Sequence, residues 1–325
     1  MLKILGIGNA LVDIITILKD DSILKKFSLP KGSMQLVDNI TSERIKSETI
    51  NLKTSLASGG SAANTIHGLA KLGASTAYIG SIGKDETGDF FENDMKDAGI
   101  TTILSRRNSP TGTAVTLISV DSERTFATHL GAAVELGPDD INQDYFNGYD
   151  ILYIEGYAIY NKPLMVKACQ LARDKNMKVA IDLASYNVVE SCLSDFKEII
   201  GNYADILFAN EEEAKAYTGK GSEEALQAIS KECEIAVIKV GSEGSWIQRG
   251  SEIIKIGTPQ VNLMDTTGAG DLYAAGFLYG YSCNCNLEVC GQYGSIVAGK
   301  VIEILGARMD DSKWSEIKKM IREIV

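Results

Sequence analysis

DILYIEGYAIYNKPLMVKACQLARDKNMKVAIDLA, residues 150–184, reads as strand, helix, strand. Its two ends, DILYIEG (150–156) and KVAIDLA (178–184), are short and apolar nearly throughout, as strands buried on both faces must be. Residues 163–175 between them carry helical periodicity, and a crossover of that kind joins parallel neighbours. The unit recurs in both directions along the chain. KILGIG (3–8), TAYIGSIG (76–83), DILFAN (205–210) and IAVIKVG (235–241) read as further buried strands. Helical stretches cover 61–72, 86–98, 211–217 and 223–231. The first of these puts Ala62, Ile66, Leu69 and Leu72 on one stripe and stops at Gly73. The second gathers Phe91, Met95 and Ala98, with Asp85 as N-cap and Gly99 past its end. The expected fold is α/β: a doubly wound, mostly parallel sheet flanked by helices, with 1–325 as one domain. Such sheets bind ligands at the carboxyl ends of their strands, which singles out Glu155, Asp182, Asn210 and Gly241.

Two segments break the alternation. Residues 14–40, with ITILKDD and SMQLVDN, and residues 111–130, TGTAVTLISVDSERTFATHL, show strand-like patterning about turns at Asp20-Asp21 and Asp121-Ser122, with no helix between. A small second sheet built from about 11–48 and 102–130 accounts for both. It would act as a lid over a substrate or be a plain edge meander.

The composition limits the function. Of 325 residues, 32 are Lys or Arg and 43 are Asp or Glu, a net charge of −11. That argues against a surface for nucleic acid or an anionic membrane, while leaving room for a local pocket for one small anion. The 45% apolar and 23% charged content is that of a folded soluble protein. No apolar run reaches the ~18 residues of a membrane span. The opening MLKILGIGNALVDII is interrupted by Gly6, Gly8, Asn9 and Asp13, so it reads as a folded strand of a cytoplasmic protein rather than a signal peptide. Cys283, Cys285 and Cys290 lack a nearby fourth ligand for zinc, since His67 and His129 are distant in sequence, and all six cysteines are expected to be reduced thiols.

Asp265-Thr-Thr-Gly268-Ala269-Gly270-Asp271 precedes LYAAGFLYGY, a helical stretch. The glycines therefore feed a helix N-terminus, whose free amides and positive dipole form an anion hole at Gly268, Ala269 and Gly270. Asp271 falls in the first turn beside it. A carboxylate there can take the proton of an attacking hydroxyl while the amides stabilise a phosphoryl group in flight. Ser58-Gly59-Gly60-Ser61-Ala62-Ala63-Asn64 opens another helix with close backbone approach, and Asn64 can bond a hydroxyl. GIGNALVD (6–13) lacks the third glycine of a dinucleotide fingerprint and reads instead as a strand end delivering Asn9 and Asp13 to a pocket. Asn210-Glu-Glu-Glu213 follows a strand. It is either an acidic first helical turn or a holder of hydrated Mg²⁺. Gly294 to Lys300 has P-loop spacing, but Val301 stands where Ser or Thr is required, within an apolar helical context.

These motifs resemble, in order and spacing, those of the ribokinase, or PfkB, family of sugar and nucleoside kinases. The resemblance spans nearly the whole chain and is most specific at DTTGAGD (265–271) and SGGSAANTIHGLAKLGASTAYIGSIGKDETG (58–88). GNALVD (8–13), SERTFATHLGAA (122–133) and DILFANEEEA (205–214) look most like the adenosine-kinase branch. The resemblance implies an ATP- and Mg²⁺-dependent phosphotransferase acting on a hydroxymethyl group, with Asp271 as general base. It implies Asn9, Asp13, Gly59, Gly60, Asn64 and Glu155 on the acceptor, and Arg124 as a lid arginine reaching the phosphates. Asn210 and Glu213, the latter through water, would organise Mg²⁺, and Gly241 and Gly244 would lie along the nucleotide. Asp265 and Thr267 would hold a monovalent cation such as K⁺, and a homodimer would form through the lid. The sequence departs from the family at His129, where Asn is common, and at Lys239-Val240, where a Thr-containing pair is common. Met34 and Leu36 with Tyr157, Tyr160, Phe126 and Tyr186 could wall a nucleoside base, or be ordinary core. An adenosine-like acceptor is expected over a free sugar. A sugar- or nucleoside-binding regulatory protein without catalysis is the rival reading.

Overall fold

The computed structural model describes residues 1–52, 54–121 and 123–324. Its strands in chain order are β1 (Ile4–Ile7), β2 (Leu11–Ile17), β3 (Met34–Leu36), β4 (Thr54–Gly59), β5 (Thr76–Gly83), β6 (Thr101–Arg107), β7 (Gly112–Ile118), β8 (Arg124–His129), β9 (Ile151–Glu155), β10 (Lys178–Asp182), β11 (Ile206–Asn210), β12 (Ile235–Lys239), β13 (Ser245–Arg249) and β14 (Glu252–Ile256). One nine-stranded sheet runs β14-β13-β12-β11-β10-β9-β1-β5-β6, and a five-stranded sheet runs β3-β8-β7-β2-β4. Pairing in the large sheet is parallel from β6 to β12 and antiparallel from β12 to β14.

The apolar strands alternate their side chains between two cores. Ile4, Ile151, Ile206 and Ile235 face one, together with the helices Ser61–Leu72, Ala269–Ser282 and Leu287–Val301. Leu5, Leu152, Leu207 and Ala236 face the other, with the helices Lys162–Asp174, Leu193–Tyr203 and Ser222–Ile229. Burial on both faces is why these strands lack polar positions. The chain lays β5 and β6 on one side of β1 and β9 to β12 on the other. The strand order therefore reverses between β1 and β9, where the carboxyl ends open a crevice.

The expected strands and helices of the alternating part are all present, with Asp85 capping through the Gly88 amide and Gly73 left-handed at its helix end. The small sheet differs from expectation in its membership. β6 joins the edge of the large sheet, and β4, outside the expected ranges, joins the small one. As an edge strand β6 is half-buried, so its alternation looks like that of a lid strand. The helices Ser22–Lys26 and Asn39–Thr49 lie where none was expected. The second buries only Ser42, Ile45 and Thr49, too thin a stripe to stand out in a polar sequence. Ser122 of the expected Asp121-Ser122 turn lies outside the described residues. Gly294 to Lys300 is inside the buried Leu287–Val301 helix, and β2 rather than a helix follows Gly8. Among the described residues no helix is long and apolar enough to cross a membrane.

Three helices pack closely at glycines. A Cβ on Gly276 would lie 2.4 Å from the Tyr293 carbonyl oxygen, and one on Gly68 would lie 2.8 Å from both Ala275 Cβ and Leu272 Cδ1. These contacts fix the Ala269–Ser282 helix against its two neighbours. Gly276→Ala forces backbone apart in a close-packed core, and we expect it to lower unfolding stability by about 1–3 kcal/mol. Urea denaturation measures this; an unchanged midpoint would contradict the packing account.

Candidate active site

Gly268 caps the Ala269–Ser282 helix in the left-handed region, φ 76°, and a Cβ there would lie 2.6 Å from Ala307 Cβ, so conformation and packing both demand glycine. The amides of Gly268, Gly270 and Asp271 donate to no protein acceptor among the described residues, whereas the Ala269 amide donates to the Thr266 carbonyl. Of the three expected amides, those of Gly268 and Gly270 are thus unpartnered among the described residues, and with that of Asp271 they form a candidate amide cradle.

The Ser61–Leu72 helix starts opposite. Its cap Gly60 has φ 96°, and a Cβ there would lie 2.1 Å from the Asn9 carbonyl oxygen. Ser61 Oγ donates to Asp271 Oδ1 at 2.7 Å, Asn64 Nδ2 donates to Oδ2 at 2.9 Å, and Thr65 Oγ1 donates to the Asp271 carbonyl at 3.1 Å. Burial pushes the Asp271 pKa up. The bonds from Asn64 and Ser61 oppose it, the Asp182 charge adds to it, and the net shift is upward. Asp271 is therefore both fixed in direction and a stronger base than a free aspartate. Asn64 Oδ1 is buried and has no hydrogen-bond partner among the described residues.

Three further groups share this end of the sheet. Lys239 Nζ donates to Asp182 Oδ2 at 2.9 Å. Glu213 accepts from the Asn210 amide at 2.7 Å and from Asn210 Nδ2 at 2.8 Å, while the Glu213 amide donates to Asn210 Oδ1 at 2.8 Å. Burial raises the Glu213 pKa to about 7, with Lys239 opposing and the Asp182 and Asp271 charges adding. Three carboxylates, of Asp182, Glu213 and Asp271, thus face one ammonium, an excess of negative charge that an oxygen-liganded divalent cation would offset. Among the described residues no group of three or more His, Cys, Asp or Glu is placed to cage a metal directly. The donor set accordingly fits Mg²⁺ held largely by water and phosphate oxygens.

A cleft of about 430 Å³ opens at the β1–β9 crevice. Asn9, Gly60, Ser61 and Glu155 line its polar end, and Met34, Leu36, Leu130, Leu136, Tyr157 and Tyr160 give it apolar walls. The Glu155 carboxylate accepts from the amides of Asn9, at 2.9 Å, and Ala62, at 2.8 Å, tying the end of β1 to the start of the Ser61–Leu72 helix.

Residues 36–314 match the model of the pfkB family carbohydrate kinases. The chain belongs to that family. It is 35% identical to an adenosine kinase from Sinorhizobium meliloti, whose structure superposes with a TM-score of 0.88 over 98% of this chain and 99% of that one. A probable sugar kinase from Rhizobium etli superposes with a TM-score of 0.89 at 33% identity, over 98% of each chain. The 5-dehydro-2-deoxygluconokinase of Shouchella clausii is 30% identical over 281 residues, 82% of this chain and 86% of that one. The protein is a kinase of the sugar and nucleoside kinase family, with the ribokinase-like fold.

Several of the residues expected on the acceptor or its phosphates line one of two clefts. Asn9 and Gly60 face the large one. Asp13 and Arg124 face a separate cleft of about 40 Å³ with Phe126, Asp265, Thr267 and Gly306. Arg124 pairs with Asp265 and donates to the Met264 carbonyl at 2.9 Å, tying β8 to the loop that leads into Gly268. Asp265 also accepts from the Thr267 amide at 2.8 Å and the Gly306 amide at 2.6 Å. Oδ1 of Asp265 takes two of these three bonds and Oδ2 takes one. The Asp13 carboxyl fills the space of a Gly59 side chain, only 2.4 Å from that absent Cβ. Burial raises its pKa to about 6, against the pull of Arg308. Gly241 and Gly244 form the left-handed turn after β12, where a Cβ on Gly244 would lie 1.8 Å from the Ile256 carbonyl oxygen. Of the expected aromatic wall, Tyr157 and Tyr160 line the large cleft, Phe126 lines the small one, and Tyr186 is exposed.

Sequence reasoning missed Ser61 and Thr65 as partners of Asp271, Lys239 as its neighbour, and Arg308, which donates to Ser58 Oγ at 2.7 Å. Only Asp182 had carried a signal, as a strand-end carboxylate.

Glu155 yields a pH prediction. Burial raises its pKa from 4.5 to about 7, so the folded state favours the protonated form. Its ionisation therefore costs stability progressively as pH rises from the unfolded value through about 7, and the cost is absent below both. Glu155→Gln does not titrate. Between about pH 5 and 8 we expect wild-type stability to fall by roughly 2–3 kcal/mol relative to that variant. Urea melts at the two pH values decide it; a constant difference would contradict the shift.

Proposed function

We propose that this kinase transfers the terminal phosphoryl group of ATP to the hydroxymethyl group of a nucleoside, adenosine-like in its aromatic base. The observation that carries the reading is the Asp271 carboxylate beside three free amides, fixed by Asn64 and by Ser61, which itself lines the apolar-walled cleft.

The sugar lies at the polar end of that cleft. Asn9, Gly60 and the free Oδ1 of Asn64 meet its hydroxyls, with Asp13 and Gly59 joining as the small sheet closes as a lid. Asp271 accepts the hydroxymethyl proton. The oxygen forms its bond to the terminal phosphorus as the bond from that phosphorus to the ADP oxygen breaks. The amides of Gly268, Gly270 and Asp271 stabilise charge on the phosphoryl oxygens through the step. Mg²⁺, when bound, would supply positive charge to the phosphates. Asn210 and Glu213 hold its water shell, and Gly241 and Gly244 let the nucleotide lie along the turn after β12.

The acceptor choice rests on the cleft walls. None of its lining residues among those described is Lys, Arg or His, so a carboxylated sugar would find no cationic partner there. Met34, Leu36, Leu136, Tyr157 and Tyr160 offer apolar area to a base and little to a free sugar. The exposed Ile17 and Leu56 on the small sheet and Val120 at its turn fit a homodimer through the lid.

Three measurements test this. ADP release with adenosine, ribose and fructose should be fastest with adenosine; turnover of a free sugar alone would sink the nucleoside assignment. Asp271→Asn should fold normally and bind adenosine, with kcat lower by at least ~10²-fold; near-normal turnover would remove Asp271 from the reaction. Sedimentation should give twice the chain mass, and Leu56→Asp should halve it; a monomeric wild type would rule out the lid interface.

A further inference from the structure

Lys239 ends β12, and its ammonium crosses the end of β11 to meet Asp182 at the end of β10. Its side chain is only 15% exposed. The same ammonium overhangs the start of the Ala269–Ser282 helix: a Cβ on Gly270 would lie 3.0 Å from Nζ. An anion meeting the Gly268, Gly270 and Asp271 amides would therefore meet this cation as well. Burial works against the charge of Lys239, but Asp182 and Glu213 outweigh it and keep the group protonated. Arg124, the cation expected for the phosphates, is held by Asp265 and the Met264 carbonyl. Asp182 meanwhile secures its own position through Oδ1, which accepts from the Ala184 amide at 2.9 Å. A buried ion pair adds little net stability, so fold stability alone gives weak reason for Lys239 to be here.

We propose that Lys239 is a catalytic residue of this chain: its ammonium completes the amide cradle by contacting the oxygens of the phosphoryl group in transfer, and Asp182 is the counter-ion that positions it. The proposal rests on the phosphotransfer reading above. The reaction is unchanged in its bonds; Lys239 neither gives nor takes a proton, and supplies positive charge where charge builds.

The test compares wild type with Lys239→Met, Lys239→Arg and the neutral pair Asp182→Asn/Lys239→Met. Thermal melting followed by circular dichroism confirms folding; should Lys239→Met fail to melt cooperatively, the neutral pair carries the test. We expect kcat with adenosine to fall by ~10²-fold or more in Lys239→Met, the scale for losing one preorganised donor. ATP affinity by calorimetry should weaken at least about tenfold, adenosine affinity should change less than about twofold, and Lys239→Arg should recover part of kcat. The neutral pair should stay as slow as Lys239→Met. If it regains wild-type turnover, Lys239 serves only the ion pair and the proposal is overturned. Wild-type turnover with Lys239→Met undiminished overturns this proposal alone. A wild type that phosphorylates no acceptor overturns the phosphotransfer reading, and this proposal with it.

Discussion

The pairing of Asp271 with Ser61 and Asn64 is the interaction on which the site depends. It joins the first turns of two helices that lie more than two hundred residues apart in sequence. Neither helix start alone would define a direction for the carboxylate. Gly68 lets these two helices approach closely enough for the bonds to form, Gly276 seats the second against the Leu287–Val301 helix, and both helices start at glycines with positive φ, Gly60 and Gly268. Packing in the core therefore sets the geometry at the surface. A site assembled this way is held rigidly in its working orientation, which is where electrostatic catalysis gains most.

The charge pattern around that pairing has its own logic. Asp182, Glu213 and Asp271 are drawn together at neighbouring strand and helix ends, and Lys239 offsets only part of their charge. Burial raises the pKa of Glu213 and Asp271, and the neighbouring carboxylate charges add to both shifts. Under the proposed function, that excess of negative charge is what a nucleotide's divalent cation would offset, with the amides and the lysine left for its phosphates. The walls of the large cleft are apolar by contrast, with Tyr157 and Leu136 among them, while Asn9, Ser61 and Glu155 supply its polar groups.

Much of this was legible in the sequence, for physical reasons. Strands buried on both faces leave long apolar runs, so the seven parallel strands except β6 stood out, and Gly-Ala-Gly before an apolar helix pointed to a cradle with Asp271 beside it. Long-range geometry was not legible. That Ser61 would hold Asp271, that the Ala269 amide would turn back to Thr266, and that Arg124 would be captured by Asp265 all depend on strand order and helix crossing, which local patterns do not encode. Edge strand β6 and the polar Asn39–Thr49 helix were misjudged because partial burial weakens periodicity. Lys239 drew notice only as an oddity; its meaning appeared once β10, β11 and β12 were side by side.

The most direct measurement of the central claim is a crystal structure with adenosine and a non-hydrolysable ATP analogue bound together. The account predicts the hydroxymethyl oxygen within about 3 Å of an Asp271 carboxylate oxygen, with the terminal phosphate on the Gly268, Gly270 and Asp271 amides. A hydroxymethyl group turned away from Asp271, or a terminal phosphate bound elsewhere than on those amides, would contradict it.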